Sequence, residues 1–204
     1  MDIFLRARHW QLFLVLIVLP FFIGLATVVN MLAHVIQYDQ PDPAIIFSHL
    51  KFLPVAVIWY AVGKMCWEWA VAIRLQRLAP QGVPFKNTAF KIFFVFTLVY
   101  YPVFFFCLFS FLGQVTALGN VPDPAAFIWF AAIFPLSMFN TFCMFYCYYY
   151  TAKTLKTIEL QRPASFSDFV LEFVLIWFFF VGVLILQPKI NDMALQEANP
   201  ADTL

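Results

Sequence analysis

The sequence WQLFLVLIVLPFFIGLATVVNMLAHVI, residues 10–36, runs for 27 positions without an Asp, Glu, Lys or Arg. A helix needs about 20 apolar residues to cross the hydrocarbon core of a bilayer. Two arginines, Arg6 and Arg8, precede the run, but it is longer than the apolar region of a signal peptide, which covers about 7–15 residues. These residues therefore predict a retained membrane-spanning helix.

Four more apolar stretches follow along the chain. With the first, they predict five membrane helices, at Trp10–Ile36, Phe52–Ile73, Ala89–Gly113, Ala125–Tyr150 and Phe169–Leu186. The stretches are continuously apolar, whereas the strands of a membrane barrel alternate over about 10 residues. The sequence thus predicts an all-α, polytopic membrane protein in which residues 1–204 form a single integral membrane domain.

The composition agrees with a chain that lies in a lipid bilayer. Hydrophobic residues make up 64% of the 204 residues and charged residues only 11%, against about 25% charged in soluble domains. The connecting segments are too short for a separate soluble domain, which needs about 50 residues. A net charge of +1 gives no basic field for nucleic acid. We therefore expect the lipid bilayer, and not nucleic acid, as a partner.

Lysine and arginine are distributed unequally between the two ends of the predicted helices. With a cytoplasmic N-terminus, the inner segments hold Arg6, Arg8, Arg74, Arg77, Lys86, Lys91, Lys153, Lys156 and Arg162. Only Lys51 and Lys189 lie on the outer side, and Lys64 lies inside a span. Cytoplasmic loops of membrane proteins carry an excess of Lys and Arg. We therefore expect the N-terminus in the cytoplasm and, after five crossings, the C-terminus outside it.

The tetrapeptide Pro-Asp-Pro-Ala occurs twice, at residues 41–44 and 122–125, which are 81 positions apart. One interpretation is a duplicated helical hairpin, residues 4–83 and 85–164, followed by a fifth helix. The other is independent origin, because Asp favours the N-cap of a helix and Pro favours its first turn. Both interpretations stay open at the level of the sequence.

Four prolines fall inside the predicted spans, at Pro20, Pro54, Pro102 and Pro135. Proline lacks an N–H group and clashes with the preceding turn, so it bends a helix. We therefore expect four of the five helices to be bent. Prolines are common in membrane helices, so the bends indicate function only weakly.

Four polar residues lie deep within the predicted spans: Lys64, Glu68, Asn140 and Glu172. A charge at such a depth costs at least about 2.5–3.5 kcal/mol on insertion scales. Lys64 and Glu68 are four residues apart on one helix face, where they can pair. The helical rise places Glu172 at the depth of Glu68 and Asn140 near the depth of Lys64. We define these four residues as a candidate intramembrane polar cluster.

The polar cluster has two interpretations. One lysine between two carboxylates leaves a surplus negative charge, so one glutamate can carry a proton, as a proton-coupled or ion-coupled transporter requires. In the other interpretation the cluster only holds helices together. Lys64 and Glu68 then neutralise each other, and Glu172 reaches the inner surface or pairs with Lys91. Asn140 forms a hydrogen bond to another helix. We favour the second interpretation.

The sequence contains none of the enzyme motifs HExxH, Walker A, GxSxG or GxGxxG. His34 and His49 flank Asp39 and Asp42 on the outer side, an arrangement that a divalent metal can use. Exposed His and Asp side chains are more often simply solvated. We therefore expect no enzymatic activity, no cofactor and no metal.

The end of the chain contains FVLIWFFFVG, residues 173–182, and LQPKIN, residues 186–191. These two segments resemble the ending of small, uncharacterised multipass proteins of the bacterial inner membrane. The resemblance covers a small part of the chain. It implies a bacterial cytoplasmic membrane and transfers no site residues.

These observations lead to two predicted functions. The first is a non-enzymatic membrane component that works as a homo-oligomer or with a partner membrane subunit, because catalytic motifs are absent and the helices are filled with 28 Phe. The second is a small proton- or ion-coupled transporter that uses the polar cluster. Convergence of the charges on a water-accessible cavity favours the transporter. Closed ion pairs beside an uncovered aromatic face favour the component.

Overall fold

The part of the chain that the structure describes is all-helical, which confirms the all-α part of the predicted fold class. The computed structural model describes residues 4–5, 7–37, 45, 48, 50, 52–80, 82–118 and 124–198. It is 90% helical, and no strand occurs among the described residues. The tetrapeptide at residues 41–44 and the first half of its second copy lie outside these ranges.

Six helices follow one another along the described residues. They are α1 (His9–Gln37), α2 (Leu53–Trp69), α3 (Asn87–Leu118), α4 (Pro124–Leu160), α5 (Phe166–Trp177) and α6 (Phe179–Ala198). Helix α1 contains a π-helical turn at Leu14–Val18, and α2 continues through a π-helical turn at Ala70–Arg74 and a 3₁₀ turn at Leu75–Leu78. Within the described ranges, three helical segments are long and apolar enough to cross a membrane, at His9–Gln37, Asn87–Gln114 and Ala131–Leu160.

The π-helical turn in α1 ties this helix to α2. The Leu19 N–H donates to the Leu14 carbonyl oxygen, and Pro20 has no N–H to offer. The Val15 carbonyl oxygen therefore lacks its usual helical donor. The Trp59 indole Nε1 donates to it instead, at 3.0 Å. A backbone group that α1 leaves open thus becomes a cross-helix contact.

The helices pack mainly in the order of the chain. Helix α1 lies against α2, α3 against α4, α4 against α5 and α5 against α6, and α6 returns to the first turn of α1. The fully buried side chains of the core include Trp67, Phe90, Phe169 and Phe179. Among the described side chains, every buried one of α3 precedes Pro102, and none of α4 before residue 140 is buried. The core therefore occupies the end of the bundle that holds the N-terminus.

The chain doubles back at Phe178, so the prediction of one continuous helix over residues 169–186 is wrong. Phe178 has φ −86° and ψ 60°, which ends α5. Lys189 Nζ lies 3.4 Å from Glu172 Oε1, whereas 17 residues of straight helix separate two positions by about 25 Å. Gly182 permits this close approach, because a Cβ atom there would clash with the carbonyl oxygen of Leu175.

Helix α6 returns to the end of the bundle where the N-terminal residues lie. Gln187 Nε2 donates to the carbonyl oxygens of Phe4, at 2.7 Å, and Ala7, at 3.1 Å. Asn191 Nδ2 also donates to the Ala7 carbonyl oxygen, at 3.2 Å. The Trp67 indole Nε1 donates to Gln187 Oε1 at 2.7 Å. Residues 187–191 thus lie beside the N-terminal segment, and not at the opposite end as five crossings would require.

The prolines differ in position from one helix to the next. Pro102 and Pro135 lie inside α3 and α4. The expected bend at Pro54 is wrong, because α2 begins at Leu53 and Pro54 therefore lies in its first turn. Proline is tolerated there, since the first N–H groups of a helix have no partner within the helix.

Candidate functional site

Lys64 and Glu68 form a buried ion pair on α2. Lys64 Nζ lies 3.3 Å from Glu68 Oε1, and the i,i+4 spacing predicted from the sequence brings the two side chains together. Lys64 is 6% exposed and Glu68 is 2% exposed. At this depth an unpaired charge would be costly, and the opposite charge one turn away lowers that cost.

Aromatic rings from two other helices enclose the Lys64 ammonium group. Its Nζ lies 3.6 Å from the centroid of the Tyr148 ring of α4 and 5.8 Å from that of the Phe179 ring of α6. A cation over the face of an aromatic ring is attracted by the ring quadrupole, most strongly where water is excluded. The ammonium group thus joins α2, α4 and α6.

A cavity of about 220 Å³ lies beside the ion pair. Its polar wall includes Lys64, Glu68, Thr97, Tyr101 and Cys147. The remaining lining residues are Val57, Tyr60, Ala61, Met65, Met144, Tyr148 and Trp177. Thr97 Oγ1 is buried without a hydrogen-bond partner among the described residues, and the buried Glu68 Oε1 has only the Lys64 ammonium group beside it, at 3.3 Å. Polar atoms in that state are usually satisfied by water where there is room for it.

Glu172 lies in a separate charge cluster, so the prediction that it joins Lys64 or Lys91 is wrong. Its Oε1 lies 2.9 Å from Lys156 Nζ and 3.4 Å from Lys189 Nζ. Glu159 Oε2 contacts the same two lysines, at 3.0 Å and 2.5 Å. Two lysines and two glutamates from α4, α5 and α6 thus neutralise one another where these helices meet.

Asn140 does not form the cross-helix hydrogen bond that was predicted for it. Its Nδ2 contacts the Met144 sulfur of its own helix at 3.6 Å. Its Oδ1 is buried without a partner among the residues described, and Asn140 does not line the cavity at Lys64. The four residues of the predicted polar cluster therefore lie in three separate places. Only Lys64 and Glu68 are in contact with each other, and Asn140 and Glu172 each lie apart from them.

Sequence reasoning missed three members of the Glu172 cluster, namely Lys156, Glu159 and Lys189. Lys156 and Glu159 carry a weak signal, because their i,i+3 spacing on one helix allows a pair. Lys189 carries no such signal, since only the reversal at Phe178 brings it back to Glu172. A straight helix would place it at the far end of the bundle.

The metal arrangement considered for the outer loop falls largely outside the described part of the chain. His34 lies in α1, but Asp39, Asp42 and His49 are not among the described residues. Within the described ranges, no group of three or more His, Cys, Asp or Glu side chains is placed to hold a metal ion.

Similarity to known proteins adds no assignment to this site. No protein-family model matches the chain, and neither a curated protein nor a solved structure matches it. The role of the buried charges therefore has to be argued from their own geometry.

Proposed function

We propose that the chain is an integral membrane protein in which α1–α4 cross the bilayer and α5 and α6 form a re-entrant hairpin. The 12 residues of α5 extend about 18 Å at 1.5 Å per residue. A full crossing of the hydrocarbon core requires about 30 Å. The hairpin therefore enters and leaves on one side of the membrane, and four crossings place both termini on that side.

This arrangement makes the charge asymmetry stronger than five crossings do. Lys189 contacts Glu159 at the end of α4, so it moves to the side of the inner loops. Ten Lys and Arg then lie on the cytoplasmic side, the nine assigned from the sequence and Lys189, and Lys51 alone is left on the other. Such a bias sets orientation in the bacterial inner membrane. We propose that the N-terminus and the C-terminus are both cytoplasmic.

Within this membrane the protein acts as a non-enzymatic component that works as an oligomer or with a partner subunit. The observation that carries this proposal is that its buried charges form closed groups. Lys64 pairs with Glu68, and Glu172 pairs with Lys156 and Lys189. Charges that neutralise each other locally hold helices together and leave no row of charged groups leading across the bundle.

Uncovered aromatic and aliphatic side chains support the assembly part of the proposal. Phe106 of α3 is 74% exposed and Phe134 of α4 is 71% exposed. Both lie in the half of the α3–α4 pair that contains no buried side chain among those described. Membrane helices associate by close packing of such faces, so a second copy or a partner helix can cover this half.

Native mass spectrometry of the protein extracted in mild detergent from its own host tests this proposal. We expect an oligomer or a complex with another membrane subunit. The double variant Phe106→Ala/Phe134→Ala removes two exposed rings from the outer half and should release the monomer. Phe166→Ala is the matched control, because Phe166 is also exposed, at 58%, but lies at the other end of the bundle. Recovery of the wild-type protein as a monomer alone would overturn the proposal.

The cavity beside Lys64 favours a second candidate function, a small proton- or ion-coupled transporter. Room for water next to the Glu68 carboxylate and a Thr97 hydroxyl without a partner among the described residues is what a proton pathway needs. Proton flux into liposomes, followed with an internal pH-sensitive dye, separates the two functions. The Lys64→Met/Glu68→Leu variant should abolish flux if the protein is a transporter. It should leave assembly unchanged if the pair only holds helices together.

A further inference from the structure

A second cleft, of about 440 Å³, lies at the inner ends of α3 and α4. One wall is the segment that leads into α3 and carries Lys86. The other wall is the last part of α4, with Tyr146, Tyr149, Tyr150 and Lys153. The cleft thus lies where the apolar part of the bundle gives way to its basic end. In a bilayer this is the depth of the lipid headgroups.

The two lysines of this cleft are exposed and carry uncompensated charge. Neither Lys86 nor Lys153 forms an ion pair with a described residue, and no carboxylate lines the cleft. Two other basic residues of the same end are paired. Lys156 contacts Glu172, and Arg162 contacts Asp168. The cleft therefore has a local positive charge that no carboxylate in the described part of the chain neutralises.

Hydrogen bonds within the protein hold Tyr150 in the wall of the cleft. Tyr150 belongs to a side-chain network in which its hydroxyl donates to Asn87 Oδ1 at 2.5 Å and Asn87 Nδ2 donates to Gln76 Oε1 at 3.0 Å. This network fixes one wall of the cleft. The backbone N–H of Asn87, the first residue of α3, donates to the Phe85 carbonyl oxygen at 3.0 Å. Lys153 Nζ lies 5.9 Å from the centroid of the Tyr149 ring, which keeps the lysine at the rim.

We propose that this cleft binds a phosphate group through Lys86 and Lys153, with the tyrosine-rich wall of α4 beside it. The two ammonium groups carry the donors that a phosphate monoanion or diester accepts, and the phenol groups of Tyr146 and Tyr149 line the same cleft. The rings of Tyr146 and Tyr149 give the cleft an apolar side, which suits the glycerol region of a phospholipid. The phosphate is carried by an anionic lipid headgroup or occurs as the free ion, and the experiment distinguishes these sources.

Native mass spectrometry of the full chain tests the proposal, with the detergent-solubilised protein offered phosphatidylglycerol or the neutral lipid phosphatidylcholine. The wild-type protein should retain phosphatidylglycerol in preference. Lys86→Gln/Lys153→Gln should weaken this retention about tenfold or more, because each basic residue near the membrane surface adds to the attraction of an anionic lipid. Both lysines are exposed, so thermal unfolding of this variant should match that of the wild type.

Arg74→Gln/Lys91→Gln is the matched control. It removes two exposed positive charges from the same end of the bundle, and neither residue lines the cleft. Retention should be unchanged in this variant. Retention by the cleft variant at the wild-type level would overturn the proposal. The same loss of retention in the cleft variant and the control variant would overturn it as well, because binding would then follow net charge and not the cleft.

Inorganic phosphate identifies the source of the bound group. If an excess of it displaces phosphatidylglycerol from the wild-type protein, the cleft takes the free ion. If phosphatidylglycerol stays bound and its retention still depends on Lys86 and Lys153, the cleft takes the lipid headgroup. The outcome does not depend on the proposed assembly, since the cleft lies within one chain.

Discussion

Lys64 shows how a charge is kept inside an apolar bundle. Its ammonium group has Glu68 on one side, at 3.3 Å, and the face of Tyr148 on the other. Removal of one partner of a buried pair leaves an uncompensated charge, whereas replacement of both by apolar groups is often neutral or stabilising. The two charges therefore contribute to stability only as a pair.

Lys64→Met alone should lower the free energy of unfolding by about 3–5 kcal/mol, because Glu68 is then left buried and unpaired. Lys64→Met/Glu68→Leu should recover most of that loss. Thermal unfolding in one detergent, followed by circular dichroism, measures both variants against the wild type. A double variant that is as unstable as the single variant would mean that the pair itself is not what stabilises the bundle.

At the scale of the element, the α5–α6 hairpin depends on contacts that exist only after the chain reverses. Helix α5 begins with a capping box at Ser165 and Asp168. Glu172 then meets Lys189 across the hairpin. Gly182 lies where the second helix passes the Leu175 carbonyl group. Charges thus stabilise the base of the hairpin, and a glycine near its apex allows its two helices to pack closely.

Gly182→Ala should force the two helices of the hairpin apart. The added Cβ atom meets backbone, which cannot rotate away as a side chain can, and overpacking of this kind costs about 1–3 kcal/mol or more. Gly24→Ala is the control, since its Cβ atom would lie 3.7 Å from Leu53 Cδ1, an ordinary contact. It should leave stability unchanged or raise it by about 0.5–1 kcal/mol, because alanine favours a helix. Equal unfolding temperatures for the two variants would contradict this account.

Asp168 makes the start of α5 sensitive to acid. Hydrogen bonds from the Ser165 backbone N–H, at 2.9 Å, and from its hydroxyl, at 2.8 Å, together with Arg162, lower the pKa of Asp168 from 3.8 to about 2. Between these two values the unfolded chain binds more protons than the folded chain. The stabilisation by Asp168 is therefore fully present above the unfolded pKa and is lost as the pH falls through the folded pKa.

Asp168→Asn should accordingly lower the unfolding temperature at neutral pH. The difference from the wild type should persist down to about pH 4 and close as the pH approaches 2. Thermal unfolding at several pH values measures it. A difference that stays constant over this range would show that the Asp168 carboxylate is not what caps α5.

Much of the helical architecture could be predicted from hydropathy, and the reversal at Phe178 could not. Length and apolar composition identify helices, but they do not record whether the chain continues or turns back. The residue at the reversal is a phenylalanine, and not a glycine or a proline that would predict the end of a helix. Gly182, four residues later, indicates a turn only weakly, because it lies within an apolar run. The Lys64–Glu68 pair was predictable because both partners lie on one helix. The partners of Glu172 were not, since Lys189 approaches it only across the hairpin. The duplication of residues 4–83 and 85–164 stays a prediction.

At the scale of the whole molecule, the proposed arrangement is four crossing helices and a hairpin that returns to its own side. The core lies at one end, where Gln187 and Asn191 hold the backbone of Phe4 and Ala7. The other end presents uncovered side chains such as Phe106 and Phe134. Contacts within the chain thus stabilise one end of the bundle, and the side chains at the other end are exposed to lipid or to a partner.

Topology reporters test this arrangement most directly. A fluorescent protein that matures only in the cytoplasm and a phosphatase that is active only outside it are fused separately after Leu204 and, as a control, inserted after Leu118. We predict that the C-terminal fusions show fluorescence and no phosphatase activity, as a reporter at the N-terminus would. The insertions after Leu118 should show phosphatase activity and no fluorescence. Phosphatase activity at the C-terminus would contradict the account, because α5 and α6 would then continue to the opposite side of the membrane.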